Sequence, residues 1–349
     1  MDAVRVEPFP HCIICGAQGV SLYRDLPDRL FGVPGFFQIK QCKACRLVWL
    51  DPRPIPEDIS KSYENYYTHS EILPEEKNPQ PRPCASARDA LRLAILCGYF
   101  GYRHLHDSHV LCLFGPLMAK IPLLRHRAVY DDLRERFPHY QKRSDNLLID
   151  IGCGRGDYLK RMKDLGWNVL GIEPDPASAD LAKARGIPVV NKTLEEAHLK
   201  EGMADQITLQ HVIEHLPDPA ATIHECFRLL RKGGRLVITT PNNQSLGHRV
   251  FGSSWRPLEP PRHFFIFSSR SIEFLLRRSS FQEWNIHTLS TTAAQIYDHS
   301  LLISEQRQTD GNVPPPPGRG RTAFAAKEAL LCRLGLPYGE VIEAIAYRR

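Results

Sequence analysis

Three groups of residues in this chain have the types and spacing to do chemistry. The first is an acid followed by spaced glycines, Asp150-Ile-Gly152-Cys-Gly154-Arg-Gly156, with Glu173 downstream. Glycine lets a backbone pass close beneath a ligand where a Cβ would collide. The spacing is GxGxG after an acid, not the GxGxxG that lays a pyrophosphate on a helix N-terminus. An acid there suits a ligand with an amino or sulfonium group, and the two oxygens of Glu173 suit the paired hydroxyls of a ribose. The second group is His211, Glu214 and His215, at i, i+3 and i+4, which share one face if the chain turns helical there. His263 follows in Glu259-Pro-Pro-Arg-His263-Phe-Phe-Ile-Phe267. Imidazole and carboxylate are groups that take a proton from an acceptor or hold a divalent ion. The third group is two cysteine pairs, Cys12-Ile-Ile-Cys15 and Cys42-Lys-Ala-Cys45. Each pair can form a knuckle, and two knuckles complete the closed four-thiolate geometry of structural zinc. Disulfides would instead require an oxidising compartment.

The elements that must position these groups follow from periodicity. Leu147–Ile151 is an apolar run ended by a glycine turn, as expected of a strand buried on both faces. Tyr158, Leu159, Met162 and Leu165 then recur at helical spacing, and Gly166 closes the helix. Further strands are expected over 168–173, 188–191, 204–211 and 235–240, with helices over 177–185 and 219–231 between them. Two later strand candidates are 281–288 and 340–347, the second closing the sheet at the C-terminus. Strands alternating with helices predict an α/β, doubly wound, Rossmann-like seven-stranded sheet with ligands at the carboxyl ends of its strands.

The chain has 349 residues, 42% of them hydrophobic, with Lys+Arg 45 against Asp+Glu 39 and a net charge of +6. That exceeds a usual domain of ~100–200 residues, and three parts are expected. Residues 1–62 form a small zinc-ribbon-like module ending in the stiff linker Asp51-Pro-Arg-Pro-Ile-Pro56, residues 63–140 a helical lid or insertion, and residues 141–349 the main domain. The mild positive charge permits an anionic partner without requiring one. The apolar stretch 110–124, broken by Pro116, Lys120 and Pro122, falls short of the ~20 residues that span a bilayer. A surface-lying segment is left open there, and the wider, poorly amphipathic helical stretch from Ala85 to about Tyr140 reads as a lid, a dimer surface or a membrane-contacting element. The N-terminus lacks a leader pattern, so a cytoplasmic chain with reduced thiols is expected. Cys84, Cys97, Cys112, Cys153, Cys226 and Cys332 read mostly as small buried apolar residues. Nothing in the sequence sets an oligomeric state.

At several of these residues the sequence resembles class I S-adenosylmethionine-dependent methyltransferases. The pieces fall in order over 146–288: Leu148-Ile-Asp-Ile-Gly-Cys-Gly-Arg-Gly156, Gly171-Ile-Glu-Pro174, His211-Val-Ile-Glu-His-Leu-Pro-Asp218, Leu230-Arg-Lys-Gly-Gly-Arg-Leu236 and Thr240-Pro-Asn242. The resemblance implies S-adenosyl-L-methionine as cofactor. Gly152, Gly154 and Gly156 then approach its methionine end with Asp150 bonding nearby, Glu173 holds the ribose, and Gln210 and His211 flank the ligand. The cysteine pairs, Pro52-Arg-Pro54 and Tyr63–Tyr67 resemble the N-terminal portion of bacterial methyltransferases acting on sugars and other small metabolites. Arg46 stands where glycine is usual. In that setting Tyr63, Tyr66 or Tyr67 reaches the cofactor, or they are plain core aromatics. Glu214, His215 and His263 are similar to the Glu-x-x-Glu-His motif and distant histidine of metal-dependent O-methyltransferases, including those of ubiquinone biosynthesis and of small-RNA 3′-end modification. His211 replaces the first glutamate, a softer donor that shifts a divalent metal away from magnesium.

The expected activity is methylation of a small-molecule or glycan-type acceptor on oxygen, with His215, Glu214 and His263 catalytic and Cys12, Cys15, Cys42 and Cys45 holding zinc. Trp255, Arg256 and Arg262 fall where substrate loops of such folds lie, and an arginine there suits a phosphate or carboxylate; a plain surface loop is the alternative. One rival is an RNA methyltransferase gripping nucleic acid through the zinc module. Against it, Phe9–Trp49 is only mildly basic and lacks interleaved aromatic and basic residues. The other is a non-catalytic zinc- and cofactor-binding module, against which the intact Asp150, glycines and Glu173 speak.

Overall fold

The computed structural model describes residues 4–63, 87–105, 109–121, 124–125, 128, 137–140, 143–305 and 316–349. Tyr66, Tyr67, Cys84, the expected loop at 75–83 and part of the expected helical stretch lie outside the described residues. Contacts divide the chain into two compact units: Met1–Ser70 with His198–Gly202 and Leu209–Arg349, and Glu71–Ala197 with Met203–Thr208. Residues 1–62 therefore group with the C-terminal part of the chain.

The strands are β1 (Val6–Glu7), β2 (Val20–Leu26), β3 (Phe37–Gln41), β4 (Val48–Leu50), β5 (Arg53–Pro54), β6 (Leu147–Ile151), β7 (Asn168–Ile172), β8 (Val189–Val190), β9 (Ala204–Gln210), β10 (Leu230–Pro241), β11 (Phe265–Ile266), β12 (Glu283–Leu289) and β13 (Val341–Tyr347). Seven of them form one mostly parallel sheet in the order β12-β13-β10-β9-β6-β7-β8, the Rossmann-like arrangement expected. The neighbours β6, β7 and β8 pair in parallel. β13 pairs antiparallel with both β10 and β12, so it lies inside the sheet and β12 is the edge, where the sequence suggested that the last strand closes it. Six of the seven residues of β13 are buried, as an interior strand requires.

The helices that follow the strands form for local reasons. Asp157–Asp164 turns Tyr158, Leu159 and Met162 inward. Pro176–Ala184 begins at Asp175, whose carboxylate accepts from the Ser178 amide at 2.8 Å, with proline at the first position. Asp218 does the same for Pro219–Leu229 through the amides of Ala220 and Ala221. The longer expectation 219–231 stops at Leu229 because β10 starts at Leu230, five residues earlier than the sequence suggested. In the unit containing 71–197, helix Ala87–Gly98 supplies Ile95 and Leu96 to a core shared with Phe100, Tyr102, Phe137, Leu148, Leu159, Met162 and Trp167.

A second sheet, β11-β4-β3-β2, carries Cys42 and Cys45 in its β3–β4 turn, while Cys12 and Cys15 lie in the turn closed by the His11–Gln18 bridge ahead of β2. Its fourth strand, Phe265–Ile266, pairs antiparallel with Val48 and Trp49. The N-terminal module is thus not made from 1–62 alone. β11 lies two residues beyond His263, so the same strand that completes the module's sheet anchors the histidine-bearing turn.

Two buried carboxyls meet where helix Arg321–Arg333 approaches β13. The Glu340 amide donates to Glu328 Oε1 at 2.9 Å, while Glu340 accepts from the Gly247 amide at 2.9 Å and from Trp255 Nε1 at 2.8 Å. Burial and the neighbouring acid push Glu328 up to about 8, and burial pushes Glu340 up to about 7. The folded pair therefore keeps a proton that the unfolded chain, with carboxyls near 4.5, releases. Its contribution to stability is present below pH 4.5 and is lost as pH rises through 7 to 8. Unfolding midpoints in urea should fall between pH 5 and 8, and Glu328→Gln should flatten that fall. An unchanged pH slope in the variant would show that the pair does not share a proton.

Candidate functional site

The four paired cysteines converge. Cys12 Sγ lies 3.4 Å from Cys45 Sγ, and Cys15 Sγ lies 3.4 Å from Cys42 Sγ, with all four sulfurs within 4.8 Å of one another. Four thiolates at ~2.3 Å from one zinc ion sit about 3.8 Å apart, so the cluster fits that ion with small adjustment. The two turns are built alike. The Gly16 amide donates to the Cys12 carbonyl at 2.8 Å, and the Arg46 amide donates to the Cys42 carbonyl at 3.1 Å. Gly16 has φ 71° and Arg46 φ 66°. The second turn thus needs the left-handed conformation that glycine adopts without cost, and Arg46 adopts it with a side chain.

The second group also converges, within the unit containing 209–349. β9 ends at Gln210, and Ile213–His215 forms one 3-10 turn rather than an α-helix. His211 has φ 52° and is exposed, yet its Nδ1 reaches Glu214 Oε1 at 3.2 Å. Glu214 is buried and its other oxygen accepts from Thr240 Oγ1 at 3.0 Å. Burial alone would raise this carboxyl. The hydrogen bond from His211, followed by the imidazoles of His211, His215 and His263 when these are protonated in acid, outweighs it and brings the group down to about 2.

His215 and His263 pack edge to face with ring centroids 4.7 Å apart. Each gives its Nδ1 to the backbone. His215 Nδ1 lies 3.1 Å from the Arg262 carbonyl, and His263 Nδ1 lies 2.6 Å from the Pro257 carbonyl. A carbonyl only accepts, so an Nδ1 hydrogen-bonded to one carries the proton and its Nε2 keeps a lone pair; at His215 the same Nδ1–H is then shared with the Tyr63 hydroxyl oxygen as a second acceptor. Glu214, His215 and His263 offer ligand atoms within 4.8 Å of one another. The donor set, one carboxylate and two imidazoles held through their far nitrogens, fits a divalent transition ion. Burial lowers His263 to about 4, which keeps it neutral. Tyr63, expected to reach a cofactor, places its hydroxyl 2.9 Å from His215 Nδ1. That contact joins positions with no signature linking them in sequence.

Arg262 is not a substrate residue. Its guanidinium is fully buried, forms a bidentate pair with Asp28 at 2.8 Å on each arm, and donates through Nε to Glu259 Oε1 at 3.0 Å. Neither is Trp255 on a surface loop: it is buried, stacked on His248 with centroids 4.7 Å apart. Arg256 pairs with Glu259 at 2.7 Å. The reading of these three as an anion-binding or plain surface loop is corrected: two of them are interior groups, and Arg256 is partly exposed but paired.

In the other unit, β6 and β7 place the acids and glycines together. Asp150, on β6, accepts from Thr208 Oγ1 at 2.5 Å. Glu173, just past β7, accepts from the Gly154 amide at 2.8 Å and the Asp175 amide at 3.0 Å. The glycine turn and the acid of the next strand are thus tied by a hydrogen bond. Gly152, Gly154 and Gly156 all have positive φ, of 65°, 52° and 79°. Space beside Gly154 is open, whereas a Cβ at Gly156 would meet Ala182 and Ile187 at 3.1 and 3.2 Å, so Gly156 also serves helix packing. Gln210 is exposed at the end of β9.

Residues 123–285 match the family described as a methyltransferase domain. A Mycolicibacterium smegmatis protein named "Probable S-adenosylmethionine-dependent methyltransferase" is 33% identical over 120 residues, 34% of this chain and 44% of that protein. A ubiquinone biosynthesis O-methyltransferase of Pseudomonas aeruginosa is 36% identical over 104 residues, 27% of this chain and 44% of that protein. The match spans less than half the length of these relatives. A solved SAM dependent methyltransferase from Archaeoglobus fulgidus is 18% identical with a TM-score of 0.43, over 69% of this chain and 100% of that one. Over residues 123–285 the chain therefore carries a methyltransferase domain.

Removing Asp28 tests how the histidine turn is held. Asp28→Ala would leave the Arg262 guanidinium buried beside a vacated partner, a loss of about 3–5 kcal/mol. Asp28→Ala/Arg262→Met should cost less than the single change, as measured by urea unfolding. A single variant as stable as wild type would mean that Arg262 finds water in solution.

Proposed function

We propose that the protein transfers a methyl group from S-adenosylmethionine to an oxygen of a small-molecule or glycan-type acceptor. The observation that carries this reading is the pair of imidazoles, both with Nδ1 on a backbone carbonyl and both grouped with the carboxylate of Glu214. The named relatives with ubiquinone O-methyltransferase activity support oxygen as the acceptor atom. Asp150, Gly152, Gly154, Gly156 and Glu173 are read as the cofactor residues, with Gln210 and His211 assigned by their place in the sequence. Residues 1–62, with β11 completing their sheet, are read as the zinc-ribbon-like module, 63–140 as the lid or insertion and 141–349 as the main domain.

Transfer from a sulfonium is an in-line displacement. The acceptor oxygen bonds to the methyl carbon, the carbon–sulfur bond breaks, and S-adenosylhomocysteine leaves with the electron pair. The chain has to align the acceptor and take its proton. His215 Nε2 is the base: its lone pair is kept available by the Nδ1 bond to the Arg262 carbonyl. Glu214 offers negative potential that favours the imidazolium so formed. Alternatively, a divalent ion held by Glu214, His215 and His263 would take the His215 lone pair and supply Lewis acidity toward the acceptor oxygen in place of the base.

Isothermal titration should show S-adenosylmethionine binding and no NAD binding, with Glu173→Ala weakened at least ~10-fold, about 1.4 kcal/mol. Equal affinity in both proteins would remove Glu173 from the cofactor site. His215→Ala should lower transfer of labelled methyl to a small-molecule or glycan fraction by ~10²–10⁴-fold with cofactor binding unchanged. Near wild-type rates in His215→Ala and His263→Ala would make the cluster structural. Metal analysis of reduced protein should find one zinc ion lost in Cys42→Ser, since structural metal binding is coupled to folding.

A further inference from the structure

Helix His109–Ala119 and the turn after it show an apolar stripe to solvent. Leu113 is 78% exposed, Phe114 53%, Leu117 64% and Ile121 52%. At 100° per residue these positions fall within an arc of about 100°, one face of the helix. The opposite face is fixed. A Cβ on Gly115 would stand 2.0 Å from the Ala94 carbonyl oxygen, and one on Gly98 would stand 2.1 Å from the Cys112 carbonyl oxygen. The two helices therefore touch backbone to backbone, and neither can roll without a clash. The stripe cannot turn inward to hide.

Charge says what would cover it. The sequence has no Asp or Glu between Ser108 and Val129, and within that stretch stand Lys120, Arg125 and Arg127. Lys120 is exposed directly beside Ile121. An uncharged apolar helix face bordered by the exposed Lys120, in a stretch whose charged residues are all basic, is complementary to a surface that is apolar inside and anionic at its rim. We propose that this helix is an interfacial anchor that docks the protein onto an anionic lipid bilayer, with Leu113, Phe114, Leu117 and Ile121 entering the headgroup boundary and the exposed Lys120 meeting lipid phosphates. Two weak signals of different kind act together in such anchors, apolar burial and about 1 kcal/mol for each cation near an anionic surface. No helix among the described residues is long and apolar enough to cross a membrane, so the contact is with one face of the bilayer. The inference stands apart from the methyl-transfer reading, because it uses none of the candidate site residues.

The test is co-sedimentation of the full chain with vesicles of phosphatidylcholine alone and with about one third phosphatidylglycerol added. Wild type should bind the anionic vesicles, at least 10-fold more weakly the neutral ones, and release at high salt. Leu113→Gln/Leu117→Gln should lose at least 10-fold, and Lys120→Gln several-fold, with thermal unfolding midpoints unchanged because all three positions are exposed. Sedimentation velocity without lipid, run in parallel, reads the alternative occupant. A wild-type dimer that Leu113→Gln/Leu117→Gln dissociates, with no vesicle binding by either, would overturn the proposal and assign the stripe to a second copy. Equal binding of wild type and the double variant to anionic vesicles would overturn it as well.

Discussion

A buried guanidinium holds the histidine-bearing turn in place. Arg262 sits fully out of solvent, forked onto Asp28 and tied through Nε to Glu259. Desolvating such a group is costly unless every donor is met, and here two carboxylates and the Ser62 carbonyl meet them. The same residue's backbone carbonyl receives His215 Nδ1, and the next residue is His263. Asp28 in turn accepts the amides of Leu30 and Val33, which shapes the loop on the other side. One side chain thus fixes two strands' worth of loop, and the orientation of both imidazoles follows from it.

That arrangement shows why the cluster differs from a chance meeting of polar groups. An imidazole facing water can carry its proton on either nitrogen. When a carbonyl takes Nδ1–H, Nε2 is committed as the acceptor. Both histidines here are committed the same way, through carbonyls belonging to the single turn Pro257–Arg262. The cysteine cluster uses a related device, with backbone turns of one shape aiming two pairs of sulfurs.

Much of this was legible in the sequence because it is local. The strand–glycine–helix rhythm from Leu147 onward depends on residues a few positions apart, and the observed elements fall within a few residues of those expected. The cysteine pairs and the Glu214-His215 doublet are likewise short-range signals. What could not be read depends on long-range partners. Asp28 and Arg262 are 234 residues apart, and no spacing rule joins them. Arg262 read as an anion-binding loop residue because an arginine among prolines resembles one until its partner is known. The turn at 211–215 was conditional on helix formation. It forms a single 3-10 turn, and His211 still reaches Glu214 because its own backbone takes a left-handed conformation. β13 was found, but its place inside the sheet depends on antiparallel pairing with both β10 and β12, which the sequence pattern of one strand does not encode.

The electrostatic balance around the turn leads to a last point about what it can hold. The carboxylates of Asp28 and Glu259 are matched by the guanidiniums of Arg262 and Arg256. Glu214 is met instead by His211 and the Thr240 hydroxyl. His263, lowered to about 4 by burial, brings no charge near neutral pH. The low value of Glu214 means that it stays ionised. A buried carboxylate beside a neutral imidazole draws positive charge to itself, and three sources fit the geometry: His211, an imidazolium formed at His215, or a divalent ion among Glu214, His215 and His263. The first leaves the cluster inert, the second describes a base that has taken a proton, and the third describes a Lewis acid. Because the two Nε2 lone pairs are kept open by the backbone, the second and third compete for the same atoms. A metal bound there therefore removes His215 as a base, so the cluster works by one route at a time.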